Sequence, residues 1–554
     1  MKHSRIGAAL AWPTLVLALF TVGCGQEQTG ARQEENVGAQ NGGRSSLPSK
    51  TSGRDSNAAL NSTRRSEGTR GVQPKLEALD PATSSPTQIG SRDSTTQDSR
   101  DKPSVNLESD NQDSGQGRQG TLFWNDASRF GEISAEQGFF PRRTFDEELL
   151  REHGIRHVSG PRLDLYTDIA SSPALDDLPR VFELAHAAWC EYFNIDPAMD
   201  LAWRMNAFVM ADREKFIDSQ LLPDDIPAFA NGYCRDFELW MDEKATDYYL
   251  RHLALHEGTH GFMLTHISGN YPEWYFEGMA EFLGTHKLTE EGLTLGYYPD
   301  DISEMPMWGR VGLLREAYRA GRMHPWQLIM TQGLQRDGGE TEFYAWVWGW
   351  CALMNGMDAY RDRFHDLYML RNEPDFPTSL ARKYSHEWQE VNDNWQVFVS
   401  EVEYGYDFQR NAIQFGAGKP LSEAQQEFQV DAANGWQSTG IQLEAGKTYE
   451  FTATGRYEMY REETQRPPVV WMSEPQGISI EYYNGSPVGI LQAVLVSEDR
   501  DPAALSPFLN PMPVSTGGKE TVSTTGTLYL RINDHPAKRA DNSGAAQFSI
   551  REVD

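Results

Sequence analysis

The stretch that decides the fold of this chain reads His256-Glu257-Gly258-Thr259-His260. Residues four positions apart lie on the same face of an α-helix, so the two histidine side chains can hold one zinc ion. Zinc held by three protein ligands keeps a fourth position open, and the glutamate after the first histidine can accept a proton from water there. The stretch therefore predicts a zinc-binding helix with Glu257 as general base.

The surrounding residues support a pair of helices. Residues 248–263 contain no proline, and their apolar residues recur every three or four positions, which favours a helix. A second helix is predicted after Pro272, which suits a helix N-terminus. Glu277 and Glu281 lie one turn apart on it. One of them can complete a ligand set of two histidines and one glutamate, and the other can accept a hydrogen bond from a ligand histidine.

Together the two segments resemble the gluzincin metallopeptidases, in which His-Glu-x-x-His precedes a helix close to Trp-x-x-Glu-Gly-x-Ala-Glu. The second motif is matched here by Trp274, Glu277, Gly278, Ala280 and Glu281. The resemblance implies an α+β zincin-like domain at 121–410, zinc on His256, His260 and Glu277, and Glu257 as general base. It also implies that Glu281 supports a ligand histidine without binding zinc. The alternative is that the histidines are core residues and Glu277 is a solvated helix residue.

Two stretches before the zinc-binding helix, 204–210 and 236–241, alternate in the manner of half-buried strands. In zincins an edge strand just ahead of the zinc helix pairs with the extended substrate backbone. Residues 236–241 are the candidate for that strand. An ordinary sheet strand is the alternative interpretation.

Peptide hydrolysis also requires a group that stabilises the oxyanion. Gluzincins often add a tyrosine or histidine from a later helix, and residues 342–354 resemble that helix. Tyr344 is the predicted oxyanion residue, and Tyr360 is the alternative. The tryptophans of this segment also fit an aromatic core helix without a catalytic role.

The N-terminus, residues 1–24, has the features of an export signal. Lys2 and Arg5 precede an apolar run that ends at Gly23-Cys24. A small residue before a cysteine resembles a bacterial lipobox, which would make Cys24 the lipid-bearing residue. Cleavage as an ordinary secretory signal is the alternative. Either way the protein is expected to be exported, anchored by lipid in the bacterial cell envelope or else periplasmic or secreted.

Composition indicates a disordered segment and excludes some partners and cysteine pairings. Residues 25–120 are polar with almost no aromatic side chains, which predicts a disordered tether. The chain of 554 residues has a formal net charge of −30, which argues against nucleic acid as a partner.

Beyond Cys24, three cysteines remain, and an odd number excludes complete internal pairing. A Cys190–Cys234 disulfide and buried free thiols are both open.

The pattern changes after the helical part. Residues 411–427 read as a linker, and residues 428–554 read as short alternating strands separated by turn residues, which predicts an all-β sandwich. Its last loop carries Asp534, Asp541 and Asn542. These offer the hard oxygen ligands that calcium prefers.

This last part resembles the bacterial calcium-dependent galactophilic lectins. The shared residues are Gly435-Trp436, Thr439-Gly440, Ala453, Gly455, Asn533-Asp534 and Asp541-Asn542-Ser543-Gly544. The resemblance implies calcium on Asp534, Asp541 and Asn542, helped by carbonyls such as that of Lys538, and a sugar that completes the calcium shell. The family has asparagine where this chain has Asp541 and threonine where it has Lys538. A purely structural sandwich is therefore the alternative.

These observations predict an exported zinc metallopeptidase that acts on peptide or protein substrates. The accessory sandwich is expected to bind calcium and cell-surface glycans, and only a lipid anchor is expected to contact the membrane. The alternative is a surface carbohydrate-binding lipoprotein whose zincin domain is structural or inactive. The sequence identifies neither the substrate nor the choice between endopeptidase and exopeptidase.

Overall fold

The structure, a computed structural model, describes residues 143–331, 340–373, 375–422, 424–501 and 504–553. The predicted export signal 1–24 with Cys24, the predicted tether 25–120, and residues 121–142 of the predicted zincin-like domain lie outside the described residues. Within the described ranges no helix is both long and apolar enough to cross a membrane.

The first part of the described chain mixes helices and strands, so the predicted mixed α and β content is confirmed. Its elements in chain order are α1 (Glu147–Glu152), β1 (Arg156–Ser159), β2 (Leu163–Thr167), α2 (Pro173–Asp176), α3 (Leu178–Tyr192), β3 (Met205–Met210), α4 (Arg213–Asp218), β4 (Gly232–Arg235), β5 (Glu238–Asp242), α5 (Asp247–His266), α6 (Glu273–Gly284), β6 (His286–Leu288), β7 (Leu293–Leu295), α7 (Arg310–Arg319), α8 (Trp326–Thr331), α9 (Glu340–Gly356), α10 (Asp358–His365), α11 (Phe376–Lys383), α12 (Trp388–Glu401) and α13 (Phe408–Asn411).

A five-stranded sheet with the order β1-β2-β3-β5-β4 supports this part. Strands β2, β3 and β5 are parallel, and β1 and β4 are antiparallel to their neighbours. The predicted substrate-pairing strand 236–241 falls on β5, which lies inside the sheet, so that prediction is wrong. A tight turn with Asp236 at a φ of 55° reverses the chain between β4 and β5 and leaves β4 at the edge.

Helix α5 begins at a side-chain cap, because the Thr246 hydroxyl accepts a hydrogen bond from the Tyr249 N–H at 3.2 Å. The helix is buried along most of its length. Its middle lies directly on α3, since a Cβ at Gly258 would stand 2.8 Å from both Phe182 and Trp189. Only glycine permits this approach, which fixes the depth of the histidine-bearing turn in the core.

Helix α6 begins after Pro272 and packs between α5 and α9. A Cβ at Gly278 would stand 2.7 Å from the Cys351 sulfur and 3.1 Å from the Val347 carbonyl of α9. The glycine that follows Glu277 therefore lets α6 lie close to α9 while its carboxylates face α5. Cys190, Cys234 and Cys351 are all buried free thiols, which decides between the two alternatives for the cysteines.

The C-terminal part is rich in strands, as predicted. They are β8 (Lys419–Pro420), β9 (Gln426–Asp431), β10 (Gln437–Leu443), β11 (Thr448–Thr454), β12 (Tyr457–Glu462), β13 (Val469–Ser473), β14 (Tyr482–Tyr483), β15 (Ser486–Pro487), β16 (Leu491–Val496), β17 (Met512–Pro513), β18 (Gly517–Thr521), β19 (Gly526–Ile532) and β20 (Ala545–Val553). The two largest sheets have the orders β17-β16-β19-β10-β8 and β18-β11-β20-β9. Their apolar faces form a common core.

Residues 411–427 differ from the predicted linker. Strand β8 lies within them and pairs in parallel with Ile441 and Gln442 of β10. The Gly418 N–H donates to the Thr527 hydroxyl at 2.9 Å, which adds a second contact with the same sheet. These hydrogen bonds tie the described part of the segment to the edge of the sandwich sheet.

Candidate metal centre

Helices α5 and α6 bring the three predicted zinc ligands together. The Nε2 atoms of His256 and His260 are 3.1 Å apart, and they lie 3.4 Å and 3.3 Å from Oε2 of Glu277. Both histidines are 5% exposed, whereas the Glu277 side chain is 19% exposed, so solvent reaches the group at its glutamate. These residues form one of the groups that could hold a metal ion.

The spacing of the three atoms fits zinc. Ligands held about 2.0–2.1 Å from zinc in a tetrahedron lie about 3.3–3.4 Å from one another. In addition, Oε2 of Glu277 is buried and has no hydrogen-bond partner, which is costly for a carboxylate oxygen unless a cation accompanies it. The residues present therefore fit a zinc ion bound by two histidines and one glutamate.

Electrostatics in the metal-free protein keep Glu277 charged. Burial raises the pKa of Glu277, but His260 and His256 reverse this effect and lower that pKa to about 2. Burial lowers the pKa of His260. Burial also lowers the pKa of His256, but the carboxylates of Glu277 and Glu281 outweigh it and raise the pKa to about 10. Metal binding must therefore displace a proton from His256.

Glu281, the predicted support for a ligand histidine, lies next to His256. Its Oε1 is 3.3 Å from Nδ1 of His256, on the side of the ring opposite Glu277. Burial raises the pKa of Glu281, but the guanidinium of Arg310 and the ring of His252 hold it well below its usual range. A charged acceptor in this place can orient the His256 ring and select the tautomer that leaves Nε2 free for a metal.

Glu257 is buried beside the ligand group and lies against strand β4. A Cβ at Gly232 would stand 2.4 Å from Oε1 of Glu257, so this glycine makes room for the carboxylate. Burial raises the pKa of Glu257 to about 8, and Glu277 and Glu281 add to the rise. A carboxyl group with a pKa near neutrality can both accept and return a proton.

The predicted oxyanion residue, Tyr344, is close to the ligand group. Its ring centroid is 5.9 Å from that of His256, and the guanidinium carbon of Arg310 is 5.9 Å from the same tyrosine ring. Tyr360, the alternative, is buried elsewhere, and its hydroxyl accepts a hydrogen bond from Asn394 at 2.6 Å. The geometry therefore favours Tyr344 over Tyr360 for a role at this site.

A second group of potential ligands consists of His186, Cys190 and Asp200. Here Oδ2 of Asp200 accepts hydrogen bonds from Nε2 of His186 at 2.5 Å and from Nε2 of His266 at 2.7 Å. These distances are shorter than the roughly 3.3 Å between ligands of tetrahedral zinc. Burial raises the pKa of Cys190 to about 11, which keeps its thiol protonated. We interpret the group as a satisfied hydrogen-bond network.

The predicted calcium residues lie together at the end of the sandwich. Oδ2 of Asp534 accepts a hydrogen bond from the Asn542 amide at 2.8 Å, and Oδ1 accepts one from the His535 N–H at 2.7 Å. Two oxygens of the same loop, Oδ1 of Asp541 and Oδ1 of Asn542, are buried without a hydrogen-bond partner. Unpartnered oxygens fit a hard cation, although the Asp534 carboxylate is already engaged within the protein.

Three residues at the metal centre were not found from the sequence. His252 precedes His256 by one helical turn, so its place on the same face was a signal that could have been used. Gly232 and Arg310 gave no local signal, because their roles depend on contacts with residues more than twenty positions away.

Comparisons with known proteins add little to this description. No family model matches this chain, and no curated protein matches it. Among solved structures, the chain is similar to one described as "EclA N-terminal domain; PllA-like lectin", at 24% identity over 24% of this chain and 100% of that one. The TM-score is 0.18, which is too low to support any conclusion about fold or binding.

Proposed function

We propose that this protein is an exported zinc-dependent metallopeptidase that hydrolyses peptide bonds. The observation that supports this proposal best is the triangle formed by His256, His260 and Glu277, with an unpartnered carboxylate oxygen at one corner. The position of Glu257 directly beside it adds a group suited to proton transfer. Buried ionisable groups that perturb one another's pKa values cluster at functional sites, and this group has that character.

A zinc ion held by His256, His260 and Glu277 would supply Lewis acidity toward the scissile carbonyl and a water molecule of lowered pKa. Glu257 accepts the proton of the attacking water and delivers it to the leaving amine. Tyr344 donates a hydrogen bond to the developing oxyanion. The edge strand β4 offers its outer backbone groups to an extended substrate, since no described strand pairs with that side.

The decisive experiment replaces the general base. Glu257→Gln should retain one zinc per chain and the wild-type fold but lose cleavage of every peptide in a library digest, because an amide cannot accept the proton. Glu243→Gln, an equal change at an exposed position near the same helix, serves as the control and should cleave like the wild type. Full activity of Glu257→Gln would contradict the proposed mechanism.

A carbohydrate-binding function is the second candidate. It is favoured by the unpartnered oxygens of Asp541 and Asn542, which would hold calcium together with Asp534, and bound calcium could accept sugar hydroxyls. A glycan array run with calcium and with chelator tests this function. Calcium-dependent glycan binding by a protein that holds zinc but cleaves no peptide would favour a binding lipoprotein over a peptidase.

Export and lipid attachment at Cys24 complete the proposal. Cys24→Ala should move the protein from the membrane fraction of cells to a soluble fraction if the cysteine carries lipid. An unchanged membrane fraction would contradict the anchor.

A further inference from the structure

Arg310 is placed unusually for a charged residue. It is the first residue of α7, follows Gly309 in the left-handed conformation (φ 66°), and is only 4% exposed. Its Nε and one terminal nitrogen donate to the two oxygens of Glu281 at 3.0 Å and 3.1 Å. This is a forked arginine–carboxylate pair, the geometry that fixes a carboxylate most firmly.

The carboxylate that Arg310 holds faces two histidines. Oε1 of Glu281 lies 3.3 Å from Nδ1 of His256, and Oε2 lies 3.5 Å from Nε2 of His252. Glu281 is 3% exposed, so water contributes little to its orientation. Without the guanidinium, a buried carboxylate would have to take up a proton or turn toward another donor. In either case His256 would lose a fixed charged acceptor at Nδ1.

Arg310 also contacts Tyr344, the proposed oxyanion residue. Its guanidinium carbon lies 5.9 Å from the Tyr344 ring centroid, within the range of a cation–π contact. The Tyr344 ring in turn makes an edge contact with His256, at 5.9 Å between centroids. A single guanidinium therefore contacts two of the groups that border the His256 ring, Glu281 and Tyr344.

We propose that Arg310 is a positioning residue of the zinc site, which acts through Glu281 to hold the His256 ring in the orientation and tautomer that a metal requires. This inference rests on the proposed zinc site. Arg310, in the first turn of α7, thereby gains a role in metal affinity. It lies outside both the His256–His260 motif and the Trp274–Glu281 motif.

The test measures zinc affinity by competition with a chromogenic chelator, which needs no substrate. Arg310→Met should weaken Zn²⁺ binding by about 10–100-fold, as expected for a residue that supports a metal ligand. Arg310→Lys keeps the charge but cannot form the fork, so its loss should be smaller. Arg531→Met is the control, because Arg531 of β19 forms an equally buried pair with Glu401 of α12, away from the candidate metal centre. It should lower the melting temperature and leave zinc affinity unchanged.

A double-mutant cycle separates positioning from general destabilisation. If Arg310 acts only through Glu281, Arg310→Met in a Glu281→Met background should cause no further loss of zinc affinity. The double variant also leaves no unpaired buried charge, so it remains informative if Arg310→Met folds poorly. The absorption spectrum of the Co²⁺-loaded protein, which reports ligand geometry, should change in Arg310→Met and not in Arg531→Met.

The outcomes separate this inference from the proposed function. If His256→Ala loses zinc while Arg310→Met binds it like the wild type, the positioning role is wrong and the zinc site stands. If the loss of zinc affinity in the double variant equals the sum of the losses in Arg310→Met and Glu281→Met, Arg310 does not act through Glu281. If the wild type binds no zinc, or His256→Ala binds it unchanged, both proposals fail.

Discussion

At the scale of single residues, the ionisable side chains of the candidate metal centre are buried, and their charges therefore control which ion the site can hold. His256, His260, Glu257 and Glu281 are each at most 5% exposed, so each charge must be balanced by a neighbour. Glu281 is paired with Arg310, whereas Oε2 of Glu277 makes no hydrogen bond and faces His256 and His260 at 3.4 Å and 3.3 Å. In the metal-free protein the protonated His256 ring balances the Glu277 charge, and a metal ion bound among these residues would take over that role.

The first prediction follows from these charges. Because the pKa of His256 is about 10 in the metal-free protein, this ring is protonated at pH 7 and must lose its proton when zinc binds. Zinc binding at pH 7 should release about one proton, and Glu257, with a pKa of about 8, can release part of a second as the nearby cation favours its charged form. Zinc affinity should therefore rise with pH between pH 6 and about 10.

Titration calorimetry in buffers of different ionisation enthalpy measures this release. The His256→Ala variant is a useful reference, since its residual zinc binding should release fewer protons. Zinc binding by the wild type without any proton release would contradict the charge state assigned to His256.

At the scale of elements, the contact between α5 and β4 sets the position of Glu257, the proposed general base. Helix α5 presents Glu257 to the edge strand, and the missing side chain of Gly232 provides the space. Gly232→Ala should push the carboxylate away, because the new Cβ would stand 2.4 Å from Oε1. We expect peptide cleavage to fall by about 100-fold, as for misplacement of a catalytic group by about 1 Å, with zinc content unchanged.

Steady-state cleavage rates and metal analysis test this prediction together. Gly312→Ala in α7 is the matched control, because a Cβ there meets nothing within 4 Å and alanine favours a helix. Wild-type cleavage by Gly232→Ala would show that Glu257 can move without loss of function. Loss of zinc in Gly232→Ala would show that the substitution disturbs the metal ligands and not only Glu257.

At the scale of the whole molecule, the mixed part and the sandwich share a buried contact. Glu401 at the end of α12 accepts a hydrogen bond from Arg531 of β19 at 2.6 Å, and both side chains are nearly inaccessible to water. A small apolar cluster crosses the same boundary, formed by Val397, Ile413, Trp436, Val494, Phe508 and Tyr529. The two parts are therefore expected to unfold together.

Calorimetry of the full chain should show one cooperative transition for both parts. Glu401→Ala leaves Arg531 buried without its partner and should destabilise the protein by about 3–5 kcal/mol. Glu444→Ala removes one partner of an exposed pair with Lys447 and should change stability by less than about 1 kcal/mol. Two well-separated transitions in the wild type would contradict the shared contact.

The sequence by itself placed His256 with His260, and Glu277 with Glu281, on shared helix faces, because residues four apart on a helix share a face whatever surrounds them. The choice of Glu277 as ligand and Glu281 as its support came from the resemblance to the gluzincin motif and stays a prediction. The helices that carry these residues and the strand-rich C-terminal part were predicted from local patterns and are present in the structure. The edge strand, the course of residues 411–427 and the contributions of Gly232 and Arg310 were decided only by the tertiary structure. Each depends on contacts between distant segments, and a local pattern contains no information about which segments meet.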